Sequence, residues 1–175
     1  MSEKEMETAT VAAVQGIAGR PDLEPQEKIS LLLASGNEWF KTSSALVSQV
    51  LGSRYVIVNC VSEEAEVDPG TEFDLEDTYC SHTLVANGPL AFHKAGSSDI
   101  SGHPCYDMFR LETYIAAPIM IGDEPWGTVN FTAIEAREPF RPQDLDVMTA
   151  ISAAVGAELI AAGHAATVQA LDRVT

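Results

Sequence analysis

The chain has 175 residues, 46% hydrophobic and 21% charged, the composition of an ordinary globular protein rather than a disordered segment. Its formal net charge of −16, from 10 Lys and Arg against 26 Asp and Glu, argues against nucleic acid as a partner, because a phosphate backbone requires a basic stripe. No apolar run approaches the ~20 residues of a membrane span, and the first residues, Met1-Ser-Glu-Lys-Glu-Met-Glu7, lack the basic and apolar regions of a secretory signal; a cytoplasmic protein without membrane contact is expected.

In chain order, Met6, Ala9, Val11, Ala13, Val14 and Ile17 outline a weakly amphipathic helix, ended by Gly19-Arg20-Pro21. A second helix is expected after Asp22-Leu-Glu-Pro25. Ile29, Leu32, Leu33, Trp39, Phe40, Leu46, Val47 and Val50 recur at helical spacings, with Gly36 as a bend or break and Gly52 as the stop. Tyr55 to Val61 is a β-branched run of strand length. Asp68-Pro-Gly70 signals a turn, and Thr71 to Leu75 reads as the returning strand. The acidic run from Glu63 to Asp77 reads as a solvated loop and hairpin surface.

Asp77 or Thr78 is placed to cap a short helix through Ala86, closed by Asn87-Gly88, before a short strand from Leu90 to His93. Ala95 to Phe109 reads as a long loop with a turn of helix near Cys105, and loops of that length in compact domains tend to be functional. Thr113–Ile121 and Trp126–Thr132 flank Gly122-Asp-Glu-Pro125 as a hairpin, with Pro118 suited to an edge or bulge. Alternation puts Trp126, Thr128, Asn130 and Thr132 on one face of the second strand, and Gly127, Val129 and Phe131 on the other. Pro142 opens a last helix with Leu145, Met148, Ile151, Val155 and Leu159 as its apolar stripe. The order predicts α+β with an antiparallel sheet rather than alternating βαβ units.

Three stretches together resemble the GAF domain family: Asp77-Thr-Tyr-Cys-Ser-His-Thr-Leu84 with Pro89-Leu-Ala-Phe-His93; His103-Pro-Cys-Tyr106 leading into Leu111-Glu-Thr-Tyr-Ile-Ala-Ala-Pro-Ile119; and Trp126-Gly-Thr-Val-Asn-Phe131 with Pro139-Phe-Arg-Pro-Gln-Asp-Leu-Asp146. The combination is similar to GAF input domains of bacterial and archaeal sensor histidine kinases. The resemblance covers residues 25–162, leaving 1–24 and 163–175 as helical extensions. It implies a central antiparallel sheet with the N- and C-terminal helices on one face. On the other face it implies a ligand pocket, roofed by the helix from Thr78 and the loop around Cys105. It also implies a homodimer through the terminal helices and signal output through a separate chain.

Three cysteines, Cys60, Cys80 and Cys105, are too few for a disulfide framework and are expected as buried reduced thiols. Cys80, His82, His93, His103 and Cys105 gather near the expected pocket. Zinc chemistry is disfavoured because positions 80 and 82 point to different faces of a helix. Bilin attachment, as in some GAF photoreceptors, meets Tyr106 where that family carries His after its Cys. Free methionine sulfoxide reductases are stand-alone GAF domains with pocket cysteines, and Cys80 and Cys105 fall near comparable places. Those enzymes carry acidic residues where this chain has Thr128-Val-Asn-Phe-Thr132. The sequence therefore predicts a sensory domain binding a small molecule of unidentified chemistry, with no catalytic residue and no metal. A thiol-dependent reductase and a bilin photosensor remain as alternatives. The pocket residues expected are Tyr79, Cys80, His82, Thr83, His93, Cys105, Tyr106, Phe109, Tyr114, Thr128, Asn130 and Thr132. Polar members would fix orientation and aromatic ones supply contact area.

Overall fold

The computed structural model describes residues 2–64 and 67–164. Residues 163–175, expected as a C-terminal helical extension, lie almost wholly outside this range. The elements are α1 (Glu3–Ala18), α2 (Pro25–Phe40), β1 (Ser44–Leu51), β2 (Arg54–Ser62), β3 (Glu72–Asp74), α3 (Cys80–Ala86), β4 (Leu90–Phe92), α4 (Pro104–Phe109), β5 (Thr113–Ile121), β6 (Glu124–Ala133) and α5 (Pro142–Ala161). Six strands form one sheet in the order β3-β2-β1-β6-β5-β4, and every pairing is antiparallel. The α+β reading and its antiparallel sheet are thus what the chain adopts.

The second helix is shorter than its spacing predicts. It ends at Phe40, and Ser44 to Leu51 form β1, paired with β2 on one side and β6 on the other. Leu46, Val47 and Val50 fit a helical spacing, but they also alternate. Ala45 and Val47 enter the core on one face, while Leu46 and Val50 pack on the other. The stop signal was hidden because the helix is closed by Lys41 in the left-handed region (φ 57) rather than by glycine. Gly52 turns the β1–β2 hairpin with φ 64. Gly36 neither bends nor breaks α2; a Cβ there would collide with the Phe131 ring, so the glycine lets α2 seat on the sheet.

One face of the sheet is covered by helices. Ile29, Leu32, Leu33 and Phe40 of α2 join Met148, Ile151, Val155 and Leu159 of α5 over Val47, Ile115, Ile119, Val129 and Phe131, all fully buried. Val14 of α1 joins the same core. Trp39 and Asp144 tie the layers together: the indole Nε1 donates to Asp144 Oδ1 at 3.1 Å, and the other carboxylate oxygen accepts from Arg141 N at 2.8 Å, capping α5. Trp126 also packs in this core, not beside Thr128 as simple alternation predicts. The reason is an irregularity in register: Ile119 pairs with Gly127 but Met120 with Pro125, so Trp126 is an extra residue and rotates to the helical side. Pro118 pairs with Thr128 of β6 but lies beyond the last residue of β5 that β4 covers, so that side of the strand is an edge there.

The opposite face carries the segments between β3 and β5. Leu75–Asp77 forms a single 3-10 turn before α3, and Thr78 turns its hydroxyl to the Leu75 carbonyl rather than capping α3. The cap position is Tyr79, without a side-chain hydrogen bond, so neither Asp77 nor Thr78 plays the capping role expected of them. The expected long loop is mostly short helical pieces: two 3-10 turns at Ala95–Ser97 and Asp99–Gly102, then α4, whose N-terminus is capped by His103. Among the described residues no helix is long and apolar enough to cross a membrane.

Candidate functional site

Between the sheet and this roof lies a cavity of about 220 Å³. Its floor is the pocket face of four strands: Ser44 and Leu46 of β1, Tyr55 and Ser62 of β2, Tyr114 of β5, and Asn130 and Thr132 of β6. The roof supplies Thr78, Tyr79 and Cys80 at the start of α3, Cys105 and Phe109 of α4, and Leu111. Glu64, Val67, Phe73 and Ile134 complete the wall. The register explains the polar row on the floor. Ser62 pairs with Ser44 and Ser44 pairs with Thr132, so three hydroxyl residues lie side by side across β2, β1 and β6.

At the inner end, polar groups converge on one sulfur. Thr128 Oγ1 and Tyr114 Oη donate to Cys80 Sγ at 3.1 and 3.2 Å, and Asn130 Nδ2 lies 3.4 Å away. The thiol faces Tyr55 Oη at 3.4 Å, and that oxygen also accepts from Asn130 Nδ2 at 2.8 Å. Thr83 Oγ1 lies 2.7 Å from Tyr114 Oη and closes the network. All six residues are buried. This is how Thr128 and Asn130 escape the penalty for buried polar groups: the chain brings Cys80, Tyr55 and Tyr114 around them. Burial, reinforced by the adjacent Cys80, pushes the Tyr55 and Tyr114 hydroxyls well above the ordinary phenol range, so both stay neutral donors. Burial likewise raises Tyr79 and pushes the Cys105 thiol up to about 12.

The roof is held from below by Glu112. Its carboxylate accepts from Gly96 N at 3.0 Å and from Tyr106 Oη at 2.8 Å, while its carbonyl accepts from Ala95 N at 3.0 Å. Gly96 is required here, because a Cβ would meet both the Tyr106 hydroxyl and the Glu112 carboxylate. Aromatic contacts bind the roof to the sheet, with Tyr79 edge-on to Tyr114 at 5.2 Å and Phe73 edge-on to Phe109 at 5.7 Å.

Of the residues singled out from sequence, Tyr79, Cys80, Cys105, Phe109, Tyr114, Asn130 and Thr132 line the cavity. Thr83 and Thr128 sit behind its wall in the Cys80 network. Three do not border it. His82 is exposed, its ring 5.0 Å from that of His103; the His93 carbonyl accepts from Arg137 N; and Tyr106 is the Glu112 tether. Burial and the adjacent His82 lower the proton affinity of His103. Sequence reasoning missed Tyr55, Leu46 and Ser44. Alternation along Tyr55–Val61 marks Tyr55, but the β1 pair required that strand to be recognised first. Among the described residues no three His, Cys, Asp or Glu side chains come together as metal ligands. A bound organic group would instead meet the Cys80–Asn130 end, the hydroxyl row and the aromatic walls.

The family model of the GAF domain matches residues 36–159. Among solved structures, the chain is similar to the GAF domain of a phosphoenolpyruvate-protein phosphotransferase from Acinetobacter, at 10% identity and a TM-score of 0.75, covering 95% of this chain and 99% of that one. It is similar to free methionine-R-sulfoxide reductase from Neisseria meningitidis in complex with its substrate, at 11% identity and a TM-score of 0.72, covering 94% and 95%. It is also similar to the phycocyanobilin-bound GAF domain of a cyanobacterial phytochrome, at 14% identity and a TM-score of 0.68, covering 87% and 93%. No curated protein sequence matches it. At these identities the structural likeness speaks for the fold alone, but the family model spans most of the chain, and the chain belongs to the GAF domain family.

Proposed function

We propose that the chain is a sensory or regulatory GAF domain that binds a small molecule in the cavity between sheet and roof, and passes its occupancy to a partner through α1 and α5. The carrying observation is a cavity whose apolar and aromatic walls end in a buried, satisfied polar cluster around Cys80. Such a site fixes a ligand's orientation with few polar groups and draws affinity from contact area. The roof is built from short helices, so occupancy can shift it only by binding one of its positions more tightly than another. The terminal helices pack on the far side of the same sheet, and a homodimer through them, within the cytoplasm, is part of the reading, as is output through a separate chain such as a histidine kinase. Native mass spectrometry and an absorption spectrum of the purified protein test retention of a ligand. Leu46→Trp, which fills the cavity, is expected to abolish it; retention unchanged by that substitution would sink the reading.

A second reading, thiol-dependent reduction of free methionine sulfoxide, draws on Cys80 and Cys105 lining one cavity. Against it stands the environment of Cys105, held protonated at neutral pH by burial, since the thiolate is the nucleophile. Turnover with thioredoxin, thioredoxin reductase and NADPH that disappears in Cys105→Ser would establish the enzyme over the pure sensor. The bilin alternative is disfavoured by Tyr106, which follows Cys105 where such photoreceptors carry His after their attachment Cys.

A further inference from the structure

The charge and ring content of the cavity narrow its ligand beyond the general reading on which this inference rests. Two edge-on aromatic pairs, Phe73 with Phe109 and Tyr79 with Tyr114, stand in its walls. Rings so arranged favour a further aromatic body packed edge-on or offset against them. Among the described lining residues Glu64 is the only charged one, with no Lys, Arg or His. Ser43 Oγ donates to Oε1 of Glu64, an exposed residue of the cavity wall, at 3.1 Å. The start of α3 borders the cavity and could in principle attract an anion. Its N–H groups at Ser81, His82 and Thr83 are already bonded to the Thr78 and Tyr79 carbonyls. The hydroxyl row from Ser62 to Thr132 leads away from the Cys80 cluster, and Glu64 follows Ser62 in sequence, its N–H bonded to the Ser62 hydroxyl at 3.2 Å.

We infer that the cavity selects a small organic ammonium ion carrying one or two rings, its ring body between the aromatic pairs and its ammonium group toward Glu64, and that it rejects carboxylates and phosphates. The net charge of −16 acts in the same direction at longer range, concentrating cations near the mouth. Size fits as well, since 220 Å³ exceeds the roughly 150 Å³ that holds a single benzene ring. An anion would meet no counter-charge, would face the Glu64 carboxylate, and would have only neutral hydroxyls to replace its hydration.

The test titrates the whole chain with three probes of nearly equal shape: phenethylammonium, 2-phenylethanol and phenylacetate, with affinities read by calorimetry and saturation-transfer NMR at low and high salt. The amine is expected to bind about threefold more tightly than the alcohol, and phenylacetate the most weakly. Glu64→Gln is expected to bring the amine down to the alcohol and leave the alcohol unchanged. Phenylacetate matching or beating the amine would overturn the inference, as would an amine preference that survives Glu64→Gln; in either case binding lost in Leu46→Trp would keep the cavity as a ligand site. If no probe binds, the inference falls, and xenon NMR separates the two levels. Xenon shifts in the wild type that vanish in Leu46→Trp leave the cavity open to another ligand, whereas no shift in either protein removes the ligand-binding reading too.

Discussion

The two faces of the sheet solve the same packing problem in opposite ways. On the helical face, Val129 and Phe131 of β6 belong to an apolar core shared with α2 and α5, whose polar groups, such as the Trp39–Asp144 pair, tie helix to helix. On the other face, Thr128 and Asn130 of the same strand point into a hydrogen-bonded network and an open cavity. Alternate residues of one ten-residue strand therefore serve stability and recognition separately. The difference teaches where sequence change should be tolerated: truncations on the helical face cost folding energy, while those on the cavity face cost local order and ligand.

The strongest way to break this contrast is Phe131→Ala. The ring is fully buried against Gly36 and Phe40, and its loss is expected to destabilise by about 3–5 kcal/mol, measured by urea denaturation. A loss below ~1 kcal/mol would show that the core collapses onto the gap and that the faces differ less than described.

Next in size is Cys80→Ala against Cys80→Ser. Alanine strips the shared partner from Thr128 and Tyr114 and from one direction of Asn130, an expected cost of about 1–3 kcal/mol. Serine keeps an acceptor at the convergence point and is expected to recover most of it. Equal stabilities for the two variants would mean that the network contributes packing rather than hydrogen bonding.

A smaller effect appears in alkaline solution. Cys105 has an ordinary thiol value of 9.0 and is pushed up to about 12 by burial. Below 9 its contribution to stability is fully present. As pH rises from 9 toward 12 the unfolded chain releases the proton first, so stability falls, by at most about 1.4 kcal/mol per pH unit from this one group. The buried tyrosines, with an ordinary value of 10.0, add to the slope mainly above that pH. Between pH 9 and 10 the decline should thus be reduced in Cys105→Ala; an unaltered slope in denaturation midpoints would assign it to other groups.

The helical face was largely legible in the sequence, because the spacing of Ile29, Leu32 and Leu33 and of Met148, Ile151, Val155 and Leu159 has no competing period. Two of its features were not. Gly36 read as a helix breaker because its role depends on Phe131, ninety-five positions away, and Trp126 changed face through an irregularity set by strand pairing. β1 was lost because its apolar residues satisfy both periods and Lys41 supplies a left-handed cap without glycine. That loss hid Ser44 and Leu46, two of the seven residues of the cavity floor. The roof residues found from sequence came with the family motif, which marks Tyr79, Cys80 and Cys105 but not which histidines turn outward. His82 and His93 have the chemistry of ligands and the positions of surface and backbone supports.

The subtlest comparison is between roof and sheet, and Tyr106→Phe probes it. The phenol leaves the cavity wall untouched but donates to the same Glu112 carboxylate that holds Gly96 N. Removing one hydroxyl from a half-buried site that keeps its second donor is expected to cost no more than about 1 kcal/mol in global stability. Locally the consequence is larger, because the segment from Ala95 to Phe109 has few other ties to β5. Hydrogen exchange should therefore quicken at the amides of Ala95, Gly96 and Arg110, which bond at the two ends of this segment, while those of β6 stay unchanged. Unchanged exchange at all three amides would mean that Tyr79–Tyr114 and Phe73–Phe109 stacking, not the Glu112 tether, sets how readily the roof opens.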